Sequence, residues 1–279
     1  EGVRLAGLTF DAGTNSSNGG STTSENTLLT VGVAGSGSAA TPDVLQDVFC
    51  RIARTDSTMG DPSAYSCLTV NANHVIGQNL WLWRADHDDQ SGTNPDAKDN
   101  LVPATTDQGQ YGLIVNGNNV IMDALFVEHF QNYQTVWNGK DGQINFYQSE
   151  MPYLLPTGDA TTPNVTCSTP DGTVTSTESV CPSLFITKNA TNFSGQGLGI
   201  YSYFATQKAY AKAAIEIQPG ATNVTIKHAV IRWLNGETDS GINSIVKDAN
   251  GTYPASSTVN GAKNGYAIDT HSYTYPHPK

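Results

Sequence analysis

Charge is scarce in this chain of 279 residues: only 14% are Asp, Glu, Lys or Arg, and the net charge is −11. The clustered Lys and Arg that neutralise phosphates are missing, which argues against nucleic acid or an anionic membrane surface as a partner. No apolar run approaches the ~20 residues that a membrane-spanning helix needs. No Ala/Leu/Glu/Lys-rich stretch carries helical periodicity, and the best helix candidate, Gln207 to Ala214, is short. No leader precedes the strand-like start Gly2 to Phe10, so the chain is expected to be mature or trimmed. No cysteines lie two to four residues apart, as zinc cages require. There is no G-x-S-x-G elbow, and Gly195-Gln-Gly197-Leu-Gly199 is a glycine alternation at a turn rather than a phosphate cradle.

Glycine is plentiful instead, with 27 residues beside 13 prolines, and Asn, Ser and Thr abound. That composition fits an all-β chain with many corners. The four cysteines, Cys50, Cys67, Cys167 and Cys181, sit at loop-scale spacing. Of the three possible connectivities, the local one is expected, Cys50 to Cys67 and Cys167 to Cys181; the alternative is four reduced thiols. Closing a 15-residue loop is worth roughly 3 kcal/mol in the chain-entropy picture. Sequons at Asn15, Asn164, Asn189, Asn192, Asn223 and Asn250 agree with a secreted glycoprotein, although a chain this rich in Asn, Ser and Thr makes some by chance.

Internal repetition organises the rest. VRLAGLTF from Val3, VIGQNLWL from Val75, VIMDALFV from Val120 and VTIKHAVI from Val224 share an apolar start and apolar residues at offsets five and seven. Three of them follow a shorter strand and an Asn- or Gly-bearing corner: LTVNANH, LIVNGNN and IEIQPGATN. VLQDVFCRIA reads as a further strand, and TVWNGKDGQINFY and the stretch Leu184 to Phe204 read as degenerate coils, the latter padded by an insertion from Thr157 to Cys181. Short strands recurring once per coil predict a right-handed parallel β-helix, with polar insertions (Gly13 to Ala40, Asp86 to Gln108) projecting from one face. Asn suits the corners because it tolerates the left-handed conformation. A β-sandwich with Asn-Gly hairpins is the competing fold. Residues 1–279 are expected to form one domain, and the tail from Asp248 is assigned no element.

If Leu80/Leu82 and Leu125/Val127 point inward, an outward stripe reads Asp11, Trp83, Glu128 and Arg232. Asp86 lies just past one strand. Glu150 falls in the next coil, either beyond a strand whose inward pair is Ile144/Phe146 or, by a plain 22-residue offset, directly over Glu128. Stacked parallel strands lie ~4.8 Å apart, so carboxylates one or two coils apart bracket the separations used in glycoside hydrolysis. Asp86, Glu128 and Glu150 are therefore the candidate catalytic acids. Trp81, Trp83, Tyr133 and Trp137 are expected to be exposed platforms for sugar rings, with Arg84, His87 and His129 as donors. Each also has a plain structural reading: packing under loops for the aromatics, solvated or ion-paired corners for the acids. Asp86, Asp88 and Asp89 offer oxygen ligands for Ca²⁺, the arrangement of a polysaccharide lyase with Arg84 or Lys140 near the abstracted proton. The scarcity of basic residues speaks against that reading, and no metal or cofactor is expected.

The runs GVRLAGLTFDAG, DVFCRIA, NHVIGQNLWLWRADH, YGLIVNGNNVIMDALFVEHFQNYQTVWNG and INFYQSEMPY resemble secreted β-helix proteins of the pectate-lyase-like superfamily, related to glycoside hydrolase families 55 and 87. The resemblance covers most of Gly2 to Tyr153 and is most specific in WLWRADH and LFVEHFQNYQ. It implies an extracellular enzyme that acts on a glucan with acidic catalysts and no obligatory cofactor. Family 87 enzymes use clustered aspartates including an adjacent pair, of which Asp88-Asp89 is an instance. Members of these families are longer at the N-terminus, so a companion half, or other copies of the chain, is an expected partner beside the polysaccharide. A non-catalytic carbohydrate-binding or structural solenoid is the alternative.

Overall fold

The computed structural model describes residues 2–13, 26–54, 60–87, 101–102, 104–155, 165–205, 209–234, 240–253 and the backbone of 266–275. Its strands fall into two stacked parallel ladders that alternate along the chain. The first sheet runs β1 (Arg4–Asp11), β3 (Asp43–Ile52), β5 (Val75–Arg84), β7 (Ile121–Glu128), β9 (Gln143–Glu150), β13 (Ser194–Ser202), β16 (Val224–Trp233) and β19 (Tyr266–Tyr275). The second runs β2 (Thr27–Val31), β4 (Ser63–Val70), β6 (Gln108–Val115), β8 (Thr135–Trp137), β12 (Leu184–Ile186), β15 (Ile215–Ile217) and β18 (Val246–Lys247). One strand from each sheet makes a coil, so the fold is a parallel β-helix. Among the described residues there is no helix; of the candidate from Gln207 to Ala214, Tyr210–Ala211 forms a short strand, β14, paired with β17 (Gly241–Ile242).

The repeat signature has a backbone cause. At the fifth residue of each first-sheet repeat the chain turns left-handed: Gly7, Asp47, Asn79, Ala124, Phe146, Gly197 and His228 all have φ between 51° and 70°. One residue at positive φ breaks the two-residue alternation, so inward residues recur at offset five rather than four. β5 shows the phase break, with Val75 and Gly77 buried before the kink and Leu80, Leu82 and Arg84 after it. Glycine takes this conformation without strain in two coils. Ala124 and Phe146 bear the roughly 1–2 kcal/mol that an L-residue incurs there. A second left-handed column precedes the first-sheet strands: His74, Asn119, Asp141, Asn192 and Asn223. These corners stack as side-chain ladders. Asn138 donates to Asn116 and Asn116 to Asn71, while Asn223 donates to Asn192 and Asn192 to Asp141, at 2.7–2.8 Å.

The core between the sheets is a column of aliphatic rungs, including Leu80, Leu82, Leu125 and Val127. Cys50–Cys67 joins the two sheets, and Cys167–Cys181 staples the base of an antiparallel hairpin, β10 (Val165–Ser168) and β11 (Val174–Glu178). That hairpin covers a second, smaller core containing Tyr111, Tyr133 and Phe185. Inward-facing Leu8 is 40% exposed on the first rung, whereas its counterpart Leu80 is 1% exposed. At the other end the tail supplies an element that its composition did not announce. β19 pairs antiparallel with β16 and covers that sheet edge, which would otherwise present unpaired backbone groups.

Connections from the first sheet to the second span 6 to 33 residues, against 4 to 11 for the returns up to β16. The corner after the first-sheet strands is thus where the chain elaborates its surface.

Candidate active site

One outward column runs the length of the first sheet. Its register is Asp11, Arg51, Trp83, Glu128, Glu150, Tyr201 and Arg232. The plain 22-residue offset between Glu128 and Glu150 is the one adopted. Of the expected inward pair Ile144/Phe146, Ile144 is in the core, whereas Phe146 is left-handed and exposed at the kink, and Tyr147 and Ser149 point inward after it. Glu128 and Glu150 are direct neighbours on adjacent rungs, where parallel-strand spacing is ~4.8 Å.

The two carboxyls have unequal surroundings. Glu128 Oε2 accepts a hydrogen bond from Trp81 Nε1 at 2.8 Å. Burial pushes the Glu150 carboxyl up; the charge of His129 and a hydrogen bond from the Tyr153 hydroxyl pull it down, while Glu128 and Asp86 push it up. The net effect is a carboxyl above the ordinary glutamate range. Its Oε1 is buried without a hydrogen-bond partner among the described residues, which favours the neutral form.

Beside the pair, Trp81 and Trp83 stack with ring centroids 5.2 Å apart and planes 16° apart. Alternate strand residues share a face, which puts both indoles outside. Trp81 is 40% exposed and Trp83 partly so. The platform continues through His87, whose ring stacks on Tyr153 at 4.5 Å, and Tyr153 meets Tyr203 at 4.8 Å.

Asp86 has a different place from the one expected of it. It is fully buried in the corner after β5. Its Oδ1 faces His87 Nδ1 at 3.0 Å and His129 Nδ1 at 3.5 Å; its Oδ2 accepts the Tyr153 backbone N–H at 2.7 Å and lies 3.6 Å from Arg84 Nη1. Burial raises its carboxyl, but His129, His87, Arg84 and the Tyr153 amide together outweigh that and hold it below the usual range. Arg84 and His129 are also buried rather than available as donors to a ligand. Arg84 donates to the carbonyls of Asp107 at 2.6 Å, Thr106 at 3.1 Å and His129 at 3.3 Å, tying the corner after β5 to the one after β7.

Asp86, His87 and His129 bring ligand atoms within 4.8 Å of one another. Both oxygens of Asp86 are already engaged, and the Arg84 guanidinium supplies the positive charge that a metal would bring, so the cluster reads as a hydrogen-bonded network. Asp88 and Asp89, needed for the Ca²⁺ arrangement, lie outside the described residues.

Two expected platforms are core residues. Trp137 is fully buried and packs edge-on against Phe193 at 5.1 Å; Tyr133 is fully buried, stacked on Phe185 at 4.6 Å beneath the stapled hairpin. A three-residue strand turns Trp137 to the same side as Val115 and Ile186. Tyr153, absent from the expected set, is the residue that sequence reasoning missed. Its only signal was the Glu-Met-Pro-Tyr run, in which Pro152 fixes the backbone just after the acid. Of the sequons, Asn189, Asn192, Asn223 and Asn250 are exposed, with the Nδ2 of Asn192 and Asn223 committed to the corner ladder. Asn15 and Asn164 lie outside the described residues.

The family model of the LAM55 pectate lyase-like domain matches residues 1–150, which include the acid pair. The chain belongs to this family. It is 38% identical over 158 residues to an exo-beta-1,3-glucanase of Streptomyces sp. (strain SirexAA-E / ActE), covering 56% of this chain and 22% of that one. It is 32% identical over 138 residues to a glucan 1,3-beta-glucosidase of Cochliobolus carbonum, covering 49% and 16%. Among solved structures, sacteLam55A from Streptomyces sp. SirexAA-E superposes with a TM-score of 0.67 at 29% identity, covering 88% of this chain and 38% of that one. A variant of the same protein in complex with glucose gives 0.70 at 26% identity, covering 96% and 42%. The chain thus spans well under half the length of these relatives.

Proposed function

We propose that this LAM55 domain is a glycoside hydrolase acting on β-1,3-glucan, with Glu150 as the general acid and Glu128 as its partner carboxyl. The observation that carries the reading is the stacked pair itself: two carboxyls on adjacent rungs, one held by an indole N–H and the other pushed above the ordinary glutamate range by burial and by its neighbour's charge. Glu150 would give its proton to the glycosidic oxygen as the bond to the anomeric carbon breaks, the bonding electrons leaving with that oxygen. Glu128, one rung away at the ~5 Å spacing of retaining enzymes, would attack the anomeric carbon to form a glycosyl-enzyme, and water, giving its proton to the Glu150 carboxylate, would then displace the sugar from Glu128. Trp81 and Trp83 would take the apolar face of a sugar. The names of the relatives support the substrate class.

We read residues 1–279 as one β-helix domain of an extracellular protein, a location supported by two disulfides. The test is reducing-end release from a panel of α- and β-glucans by the wild type, Glu128→Gln and Glu150→Gln. The reading expects β-1,3-glucan to be cleaved and both substitutions to abolish cleavage; release unaffected by either would sink it. Binding without release would favour a carbohydrate-binding module.

A further inference from the structure

Beside the acid column runs a second outward column, two residues earlier on each strand. Its register is Thr9, Phe49, Trp81, Phe126, Gln148, Gly199 and Val230. Large side chains fill most of it, and the run is interrupted at Gly199, one rung past the acid pair. The backbone does not account for this glycine. Its φ is not left-handed, unlike that of Gly197 two residues before, and a glycine inside a strand weakens it. Space does account for it. A Cβ at Gly199 would lie 3.0 Å from the Tyr201 hydroxyl oxygen and 3.1 and 3.3 Å from Cε2 and Cζ of its ring. Tyr201 therefore folds back along its own strand with its phenol end over Gly199, partly exposed and in register with Glu150.

We propose that Tyr201, seated on Gly199, is the platform for the sugar on the leaving-group side of the scissile bond. The inference rests on Glu150 being the general acid. Attack and departure at an anomeric carbon take place on opposite sides of it. Two carboxyls stacked along the solenoid therefore place the attacked face toward Glu128 and the departing oxygen toward Glu150. The sugar that keeps the anomeric carbon lies on the Glu128 side, against Trp81 and Trp83. The sugar that carries the departing oxygen lies on the Glu150 side, where the next rung offers Tyr201. Rungs ~4.8 Å apart are spaced about as far as successive sugars of a chain. The tyrosine ring takes the apolar C–H face of that sugar, and Gly199 sets how close to the sheet the ring lies. Contacts to a sugar that does not itself react supply binding energy to the step at its neighbour. Tyr201 thus selects a glucan over a glucoside with a small leaving group.

The test compares two substrates that share the glucosyl group and differ in what departs. One is a β-1,3-glucan oligosaccharide. The other is β-glucosyl fluoride, whose leaving group is a single atom and cannot reach Tyr201; if the wild type needs a longer glycone, β-laminaribiosyl fluoride takes its place. Tyr201→Ala lowers kcat/KM on the oligosaccharide about tenfold and leaves it on the fluoride within about twofold. Tyr201→Phe keeps the ring and both activities. Gly199→Ala leaves Tyr201 chemically intact but lifts its ring, and gives the same split as Tyr201→Ala. A tyrosine that only packs on the sheet would lower both substrates together. Equal losses on the two substrates, or no loss on the oligosaccharide, overturn the proposal; should Tyr201→Ala not fold, Gly199→Ala decides by the same criterion. The acid assignment fails separately. Fluoride departs without a proton, so Glu150→Gln loses kcat/KM on the oligosaccharide and keeps it on the fluoride. If Glu150→Gln keeps both, the general acid is another group, whatever Tyr201→Ala does.

Discussion

Replacing Arg84 with Met keeps the length of the side chain and removes its charge from the interior of the corner. Arg84 and Asp86 are both fully buried, 3.6 Å apart, and Asp107 beside them is buried too. Burial pulls the guanidinium's pKa down, and Asp86 and Asp107 offset only part of that. Arg84→Met therefore leaves a buried carboxylate short of its counter-charge and three carbonyls short of a donor. Breaking one side of a buried pair destabilises by about 3–5 kcal/mol, or about 10 °C in apparent Tm for a domain of this size. The loss depends on pH with a definite sign. A carboxyl whose folded pKa is depressed stabilises above its unfolded pKa, and that stabilisation is lost as pH falls through the folded value. The gap between variant and wild type is thus widest at neutral pH and narrows on acidification, as Asp86 takes up a proton and no longer needs Arg84. Thermal unfolding at pH 7, 5 and 3 measures it, with Arg84→Met/Asp86→Asn recovering part of the loss at pH 7. A single variant within 1 kcal/mol of wild type at pH 7, by the arithmetic of breaking a buried pair, would refute the buried-network reasoning.

Glu150→Gln should raise the apparent Tm at neutral pH and leave it unchanged at pH 4. A raised folded pKa means stability that is complete below the unfolded value and lost as pH rises, by about 2–4 °C for each kcal/mol. Trp81→Ala should weaken glucan binding about tenfold in a depletion assay with little change in Tm, whereas Trp137→Ala should destabilise by about 3–5 kcal/mol with no specific effect on binding per folded molecule. Cys167→Ala with Cys181→Ala should cost about 3 kcal/mol, from the 14-residue separation, and expose the 165–178 hairpin to limited proteolysis while the two long sheets stay intact.

The two ladders were legible because inward residues recur at fixed offsets, and the unusual offset of five carried the kink within it. The acid pair was legible for the same reason: Glu128 and Glu150 differ by one coil, and stacking follows from period alone. Asp86 was not, because it lies beyond the strand, where the direction of the chain is set by Arg84 reaching across to the next corner. Trp137 was misread because a strand as short as Thr135–Trp137 gives no alternation from which to assign its faces, and Tyr133 because its cover comes from a hairpin more than 25 residues later. The antiparallel β19 carries no signature of the repeat, since an edge cap must differ from the coils it closes.

The account's central claim is that Glu150 delivers a proton to the departing oxygen. It is tested most directly by comparing Glu150→Gln on β-1,3-glucan, whose leaving group needs that proton, with an aryl β-glucoside whose acidic phenol leaves without one. The account predicts a loss of about a hundredfold or more in kcat/KM on the glucan and a far smaller loss on the aryl glucoside. Equal losses on both substrates, or no loss on the glucan, would contradict it.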